Sequence, residues 1–206
     1  MDLMKSTQSI SRYKVEFVEG SDISGTILEA LKKYVIPSDD LRELTAEAVA
    51  GWVPLESPYD PDFDKYPFQY GDKIIFSLRI DKKSIPADLV KQRVAAAIQK
   101  KMKETGREFL SKNEKSEIKE LVIDDLVIQT PFVPKVYDIV WDYASATVSL
   151  YTAGKAQNEF FTTLFFKTFE RKLIPLFPYT MISEDFEFPQ DVLTKVSRLS
   201  PVRFCV

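Results

Sequence analysis

Two stretches decide the fold of this chain: PADLVKQRVAAAIQKKMKETG (residues 86–106) and SKNEKSEIKELVIDDLVIQT (residues 111–130). In both stretches, apolar residues recur at the spacing of an amphipathic helix. Pro86 suits a first helical turn, and Gly106 suits a helix end. Ser111 and Glu114 have the spacing of a capping box, in which each side chain accepts a hydrogen bond from an unpaired backbone N–H. The sequence therefore predicts a helical hairpin. Its apolar stripes are Val90, Val94, Ala97, Ile98 and Met102 in the first helix, and Ile118, Leu121, Val122 and Leu126 in the second.

The predicted hairpin concentrates positive charge. Residues 88–120 include nine Lys or Arg and six acidic residues, a net charge of +3 in a chain whose total is −3. One interpretation is that charged helices need solvated faces, which Glu and Lys pairs supply. The other is that the basic residues bind an anionic partner, although this charge is well below that of a strongly basic nucleic-acid footprint. The charge alone leaves both interpretations open.

The segments around the hairpin predict an antiparallel sheet. Strands are expected at residues 13–17, 74–80, 137–143, 148–150 and, last, 179–183; helices are expected at 23–34 and 155–173, the second ended by Pro175 and Pro178. The strands follow from alternation of apolar and polar residues, and the helices from apolar residues at helical spacing. Residues 39–50 predict, less clearly, a short helix followed by a strand that leads into Gly51-Trp52-Val53-Pro54. The predicted fold class is α+β, a mostly antiparallel sheet packed with helices, with a projecting charged helical hairpin.

This pattern also predicts how the chain is organised. Residues 1–85 and 130–183 are expected to form one α+β core, with the hairpin (86–129) inserted in it and a C-terminal tail at 184–206. Residues 55–70 predict a long irregular loop with four acidic and five aromatic residues. Such a loop is either functional or held to the surface by its aromatic side chains, and the number of aromatic residues favours the second role.

The composition excludes several catalytic chemistries. The chain has no histidine, the usual general base near neutral pH and the commonest transition-metal ligand. Its single cysteine, Cys205, excludes an internal disulfide and a multi-cysteine zinc site. No cofactor and no metal site are predicted. No apolar run approaches the roughly 18 residues of a membrane span, and no signal peptide is recognisable, so a cytoplasmic location is expected.

Carboxylates remain as candidates for a metal-dependent nuclease, in which Mg²⁺ activates water and stabilises the leaving oxygen. The candidates are Asp124 with Asp125, Asp138 with Asp142, and Glu117 near Lys119. Residues one or two positions apart on a helix do not face each other. Asp138 and Asp142 share a strand face, but alternating polar residues on a solvated face explain them equally well. No catalytic residue is therefore assigned.

Several short pieces of the sequence follow one another in a distinctive order. They are Gly51-Trp52-Val53-Pro54, the strand with Arg79 and the charged turn Asp81-Lys82-Lys83, Ile85-Pro86-Ala87, the Lys- and Glu-rich hairpin, Trp141, and the Phe-rich helix ending in Leu173-Ile174-Pro175. In this order and spacing, over roughly residues 10–180, the chain resembles the RdgC family of recombination-associated bacterial DNA-binding proteins. The first of these pieces is the most specific, and it also predicts a buried tryptophan beside a strand-ending proline.

The resemblance implies an α+β protein that dimerises into a ring or horseshoe, holds double-stranded DNA without sequence preference and limits the access of a recombinase to it. Expected partners are double-stranded DNA at the bacterial nucleoid and a second copy of the chain, with no membrane and no small-molecule substrate. On this basis, phosphate contacts are expected from Lys100, Lys101, Lys103, Arg107, Lys112 and Lys115, and a protein interface is expected at Phe132. An exonuclease label attached to some family members is the less favoured implication.

The net charge of −3 supports a rival hypothesis. The chain would then be a protein-interaction module of the same fold that does not bind DNA. In the family that the chain resembles, the segment after the hairpin is basic and contains a phenylalanine. The corresponding residues here, 129–135, include Phe132 but only one basic residue, Lys135. Binding to duplex DNA over a range of salt concentrations distinguishes the two hypotheses.

Overall fold

The computed structural model describes residues 9–16, 23–38, 46–177, 180 and 190–198, and within these ranges the fold is α+β. The strands are β1 (Ser11–Val15), β2 (Ala48–Val53), β3 (Gln69–Tyr70), β4 (Lys73–Lys82), β5 (Val133–Asp142), β6 (Thr147–Leu150) and β7 (Leu173–Pro175). The helices are α1 (Ile23–Lys33), α2 (Ala87–Thr105), α3 (Lys112–Gln129), α4 (Lys155–Phe169) and α5 (Gln190–Ser197). The predicted fold class is confirmed.

The strands form one antiparallel sheet in the order β2-β4-β5-β6-β1-β7, with β3 pairing to the start of β4. The longest ladder joins β4 to β5, from Lys73 opposite Asp142 to Lys82 opposite Val133. Side chains alternate between the two faces of a strand. The pairs Phe76 with Ile139 and, next on the same face, Ile74 with Trp141 therefore point together to one side.

That side of the sheet forms the core with α1 and α4. The largest fully buried side chains are Trp52, Trp141, Phe76, Phe161 and Phe165. Their rings meet mainly edge to face, which the aromatic quadrupole favours, as in the Trp52–Phe76 pair at 5.2 Å between centroids. The predicted buried tryptophan, Trp52, is 0% exposed and stands one residue before the end of β2.

Gly51 is required where the chain passes close to β2. The backbone N–H of Trp52 donates to the Tyr34 carbonyl, and the N–H of Ile36 donates to the Trp52 carbonyl. A Cβ atom at Gly51 would collide with the backbone of Ile36. Only glycine permits this close approach.

The predicted end of α4 at residue 173 is wrong. The helix ends at Phe169, Glu170 adopts a left-handed conformation (φ 55°), and Leu173–Pro175 is strand β7. The helix ends early because the backbone groups of residues 173–175 form hydrogen bonds with strand β1, which is distant in the sequence. The Leu176 N–H donates to the Arg12 carbonyl at 2.8 Å, and Ile174 lies opposite Lys14.

The expected charged turn at residues 81–83 is also wrong, because Asp81 and Lys82 belong to β4. Asp81 is 0% exposed, and its carboxylate accepts two hydrogen bonds from the Arg79 guanidinium, at 2.8 and 2.6 Å. On the same sheet face, the Ser77 hydroxyl donates to Asp138 at 3.0 Å, and Asp138 is 2% exposed. The expectation that Asp138 stands on a solvated face therefore fails.

The loop at residues 55–70 is held to the sheet by its aromatic residues, as its sequence favours. Phe63 is buried in the core, and the Arg79 guanidinium lies over the Tyr59 ring at 5.2 Å from the centroid. Of its acidic residues, Asp60 and Asp62 are paired with Lys65, and Asp64 is paired with Lys32. Two lysines thus pair with three of the four acidic residues of the loop.

Two sequence predictions fall outside the described residues. They are the short helix expected at the start of residues 39–50, since residues 39–45 are not described, and, apart from Thr180, the last strand at 179–183. The strand expected after that helix is present as β2. Of the tail, the structure describes α5 and Arg198. No helix among the described residues combines the length and the apolar character that crossing a membrane requires.

Candidate nucleic-acid interface

The charged hairpin, α2 with α3, is inserted between two neighbouring strands. The chain leaves the sheet after Lys82 and returns at Val133, and these two residues are paired in the β4–β5 ladder. α2 has 19 residues and no buried side chain. A helix of that length extends about 28 Å. The hairpin therefore projects from one end of the ladder with most of its surface in solvent.

The end of α2 and the start of α3 are fixed by the residues that the sequence indicated. Gly106 ends α2 in a left-handed conformation (φ 64°). The Ser111 hydroxyl accepts from the Glu114 N–H at 3.2 Å, and the Glu114 carboxylate accepts from the Ser111 N–H at 2.8 Å, which confirms the capping box. These hydrogen bonds lower the pKa of Glu114, with smaller contributions from the positive charges of Arg107 and Lys101.

The six basic residues predicted to bind DNA lie in the distal part of the hairpin, and their accessibility differs. Lys100, Lys103, Arg107, Lys112 and Lys115 are exposed, whereas Lys101 is half-buried. Lys100 lies 4.0 Å from Glu104, and Arg107 lies 3.4 Å from Glu114. Within the described part of the chain, Lys103, Lys112 and Lys115 form no ion pair within 4.0 Å. These three ammonium groups are the most available to a polyanion.

The two helices pack through fewer apolar residues than the periodicity predicts. Ile118, Leu126 and Val127 are the buried residues of α3. Leu121 was expected in the stripe but is 65% exposed. The stripe of α2 is only half-buried. The hairpin is thus a thin two-helix element.

Phe109 is a surface residue that the sequence predictions missed. It lies in the turn between α2 and α3, and 81% of it is exposed, whereas its neighbour Leu110 is buried. The available signal was an aromatic residue in the turn that belongs to neither helical stripe. An exposed phenylalanine beside Arg107 gives the tip of the hairpin an apolar contact point among basic residues.

A groove of about 400 Å³ runs between the two helices. Arg93 and Lys100 of α2 line one side of it, and Asp125 and Gln129 of α3 line the other. Its floor includes Ala97 and Leu126. The groove therefore presents cations seven residues apart along α2, about two helical turns.

The base of the hairpin is fixed to the sheet by Lys83, which sequence reasoning treated as part of a turn. Lys83 is 6% exposed, and its Nζ donates to the Val127 carbonyl, in the last turn of α3, at 2.6 Å. Its ammonium also lies 4.7 Å from the centroid of the Phe132 ring. A cation at a helix C-terminus interacts favourably with the helix dipole. Lys83 therefore ties β4, α3 and the segment before β5 together.

Phe132, the predicted interface residue, is thus half-buried at the base of the hairpin. The structure does not bring it together with the distal basic residues, since most of the length of the helices separates them. The alternation of side chains along β4 was the signal for Lys83. Lys83 is the first residue after β4, and it continues the face on which Arg79 and Asp81 already form an ion pair.

The carboxylates considered for a nuclease do not converge. Asp138 is occupied by Ser77, and Asp142 accepts a hydrogen bond from the Ser145 N–H in the β5–β6 turn at 3.1 Å. Asp124 and Asp125 are exposed on α3. Among the residues that the structure describes, no group of three or more Asp, Glu, Cys or His side chains is arranged to hold a metal ion.

A sequence profile of the family described as "Putative exonuclease, RdgC" matches residues 42–186, more than two thirds of the chain. The chain belongs to the RdgC family. The match includes the hairpin, strands β2 to β7 and helix α4. No curated protein matches the chain. The hairpin and strands β4 and β5, between which it is inserted, therefore lie within the matched residues.

Proposed function

We propose that this protein binds double-stranded DNA without sequence preference, performs no catalysis and modulates recombination. The observation that carries the proposal is the set of exposed lysines, Lys103, Lys112 and Lys115, on a helical element that projects from the sheet. Lysine ammonium groups neutralise phosphates and release counterions, which gives affinity without reading base edges. Membership of the RdgC family supports the same function.

The other predicted contacts require ion pairs to be exchanged. Lys100 must leave Glu104, and Arg107 must leave Glu114. Exposed ion pairs contribute little free energy, so a phosphate displaces these carboxylates at small cost. Lys101 is half-buried and is the least accessible of the six. Within a bacterial cell, such binding would place the protein at the nucleoid.

Binding to a short fluorescent duplex, measured by anisotropy between about 50 and 200 mM salt, tests this proposal. The proposal expects log K to fall linearly with log salt, by roughly 0.9 for each phosphate contacted, and to be the same for duplexes of unrelated sequence. A duplex that does not bind at the lowest salt concentration would contradict it.

The main alternative is a protein-interaction module of the same fold. The observation that favours it is the exposed apolar surface of the hairpin, where Phe109 is 81% and Leu121 is 65% exposed. This alternative expects no duplex binding at any salt concentration. It also expects that Phe109→Ser, rather than removal of lysines, abolishes binding of the hairpin to its protein partner.

We further propose that the protein is a homodimer. The phenylalanines of α4 exceed what the core accommodates: Phe161 and Phe165 are fully buried, but Phe166 is 52% and Phe160 is 36% exposed. Exposed aromatic residues of this kind are enriched at protein interfaces. Light scattering at micromolar concentration is expected to give twice the chain mass, and a strictly monomeric mass would contradict the dimer.

The absence of nuclease activity is a separate part of the proposal. The protein, purified to homogeneity, is incubated with linear double-stranded and single-stranded DNA in Mg²⁺ or Mn²⁺, and both substrates are expected to remain intact. Degradation that Asp138→Asn or Asp142→Asn abolishes would assign these carboxylates to a nuclease site. The proposed function would then be wrong in its non-catalytic part.

A further inference from the structure

A cavity of about 210 Å³ lies on the far side of the core from the hairpin's base, between α1, β5 and the end of α4. Its walls include Ile27 and Ala30 of α1, Trp141 of β5 with Tyr143 in the turn after it, and Phe169 of α4 with Arg171 in the turn after it. A water molecule occupies about 30 Å³ in the liquid, so the space suits a molecule several times that size. No residue of α2 or α3 lines it.

The two tryptophans of the chain differ in how their indole N–H groups are satisfied. The Trp52 Nε1–H donates to the Thr168 hydroxyl at 2.8 Å. The Trp141 side chain is 1% exposed, and its Nε1–H has no hydrogen-bond acceptor among the residues that the structure describes. The Thr168 hydroxyl also lies on the cavity wall, but it is already occupied by Trp52 and donates to the Leu164 carbonyl. A buried N–H without an acceptor is unusual and requires an explanation.

Positive charge is present at the same wall. The turn that follows α4 passes through Glu170, in a left-handed conformation, and brings Arg171 to the cavity. Burial raises the pKa of the Tyr143 hydroxyl, and the Arg171 guanidinium opposes that shift, so the guanidinium acts on this part of the wall. At neutral pH the phenol therefore stays protonated, and its O–H is a donor. The Tyr143 ring stacks on Trp141 at 4.7 Å between centroids.

We propose that this cavity binds a small carboxylate-bearing molecule. One carboxylate oxygen accepts from the Trp141 Nε1–H, the charge of the carboxylate faces Arg171, and the apolar body lies against Ile27, Ala30 and Phe169. Charge-assisted hydrogen bonds to a carboxylate are stronger than neutral ones, which suits a carboxylate better than a neutral carbonyl. Glu170 also lines the cavity, but it is exposed, and solvent screens its charge. The inference does not depend on DNA binding.

The test uses the indole N–H resonances of the full chain in ¹⁵N-correlated NMR spectra. The two signals are assigned with Trp52→Phe and Trp141→Phe, and the protein is titrated with sodium benzoate, sodium propionate and, as the amine of matched size, propylammonium chloride. The carboxylates are expected to shift the Trp141 signal downfield in a saturable manner and to leave the Trp52 signal in place. Propylammonium is expected to shift neither.

Two variants then separate a built site from general binding to the protein. Arg171→Gln is expected to weaken benzoate binding by about tenfold or more, because a charge-assisted contact is lost. Lys172→Gln, which removes the same charge from the next, exposed residue, is expected to leave it unchanged. A Trp141 signal that neither carboxylate moves, that propylammonium moves equally, or that responds identically in Arg171→Gln would overturn the proposal.

Discussion

The sheet with α1 and α4 and the projecting hairpin use their residues in opposite ways. In the first region, large aromatic side chains such as Trp141 and Phe165 are buried, and their rings contact each other edge to face. In the second, α2 buries no side chain, and α3 buries only Ile118, Leu126 and Val127. The comparison shows that the core determines stability, whereas the hairpin depends on its caps and on its attachment at Lys83 to remain oriented while its charged surface stays in solvent.

The largest difference in stability is expected when a phenylalanine is replaced by alanine in each region in turn. Phe165→Ala removes a fully buried ring and is expected to lower the free energy of unfolding by about 3–5 kcal/mol. Phe109→Ala, at the exposed tip, is expected to change it by less than about 0.5 kcal/mol. Urea unfolding followed by circular dichroism measures both. Equal losses would show that the hairpin tip is part of the stability-determining core and would break the comparison.

Two glycines test the same contrast at the level of the backbone. Gly51→Ala places a Cβ against the Ile36 backbone and is expected to cost about 3 kcal/mol, the upper range for overpacking. Gly106→Ala meets open space, so it costs only the left-handed conformation, about 1–2 kcal/mol. Thermal unfolding of the two variants ranks them. A Gly106→Ala variant that is the less stable of the pair would contradict the proposed order.

Lys83 connects the two regions, and its loss is expected to have an intermediate effect. Lys83→Met keeps most of the apolar stem but removes the hydrogen bond to the Val127 carbonyl, at an expected cost of about 1.5 kcal/mol. Hydrogen exchange is expected to speed up in the last turn of α3, while the amides of β4 remain protected. Lys82→Met, at the exposed neighbouring position, is the control. Unchanged exchange in α3 would show that Lys83 does not hold the hairpin.

The smallest effect concerns the capping box. Ser111→Ala is expected to cost about 1 kcal/mol, whereas Ser116→Ala in the exposed middle of α3 is expected to be neutral or slightly stabilising. The pKa of Glu114 is lowered in the folded state, so its contribution is present above the unfolded pKa, about 4.3, and is lost as the pH falls through the lower folded value. Stability measured from neutral to acidic pH is expected to lose this increment in the parent but not in Glu114→Gln.

The caps of the hairpin helices and strand β7 show what the local sequence determines and what it does not. Gly106, Ser111 and Glu114 act through neighbouring backbone groups, so their roles were predictable from spacing alone. The end of α4 and strand β7 were not predictable, because they depend on the distant strand β1.

Buried polar residues were missed for the same reason. Asp138 was expected in solvent and Lys83 in a turn, yet each is buried beside a partner from another element, Ser77 and Val127 respectively. Which basic residues of the hairpin are exposed and outside ion pairs is likewise not encoded in any local pattern, since exposure and ion pairing depend on how α2 and α3 pack.

The most direct test of the account is the salt dependence of duplex binding by a variant with Lys103, Lys112 and Lys115 replaced together by Ala. If all three contact phosphates, the slope of log K against log salt is expected to fall by about 2–3, with the helical content unchanged. A matched variant lacking three exposed lysines outside the hairpin, Lys73 of β4, Lys155 of α4 and Lys172 between α4 and β7, is expected to keep the parent slope. A hairpin variant with the parent slope, or an equal fall in both variants, would contradict the assignment of the hairpin as the DNA-binding surface.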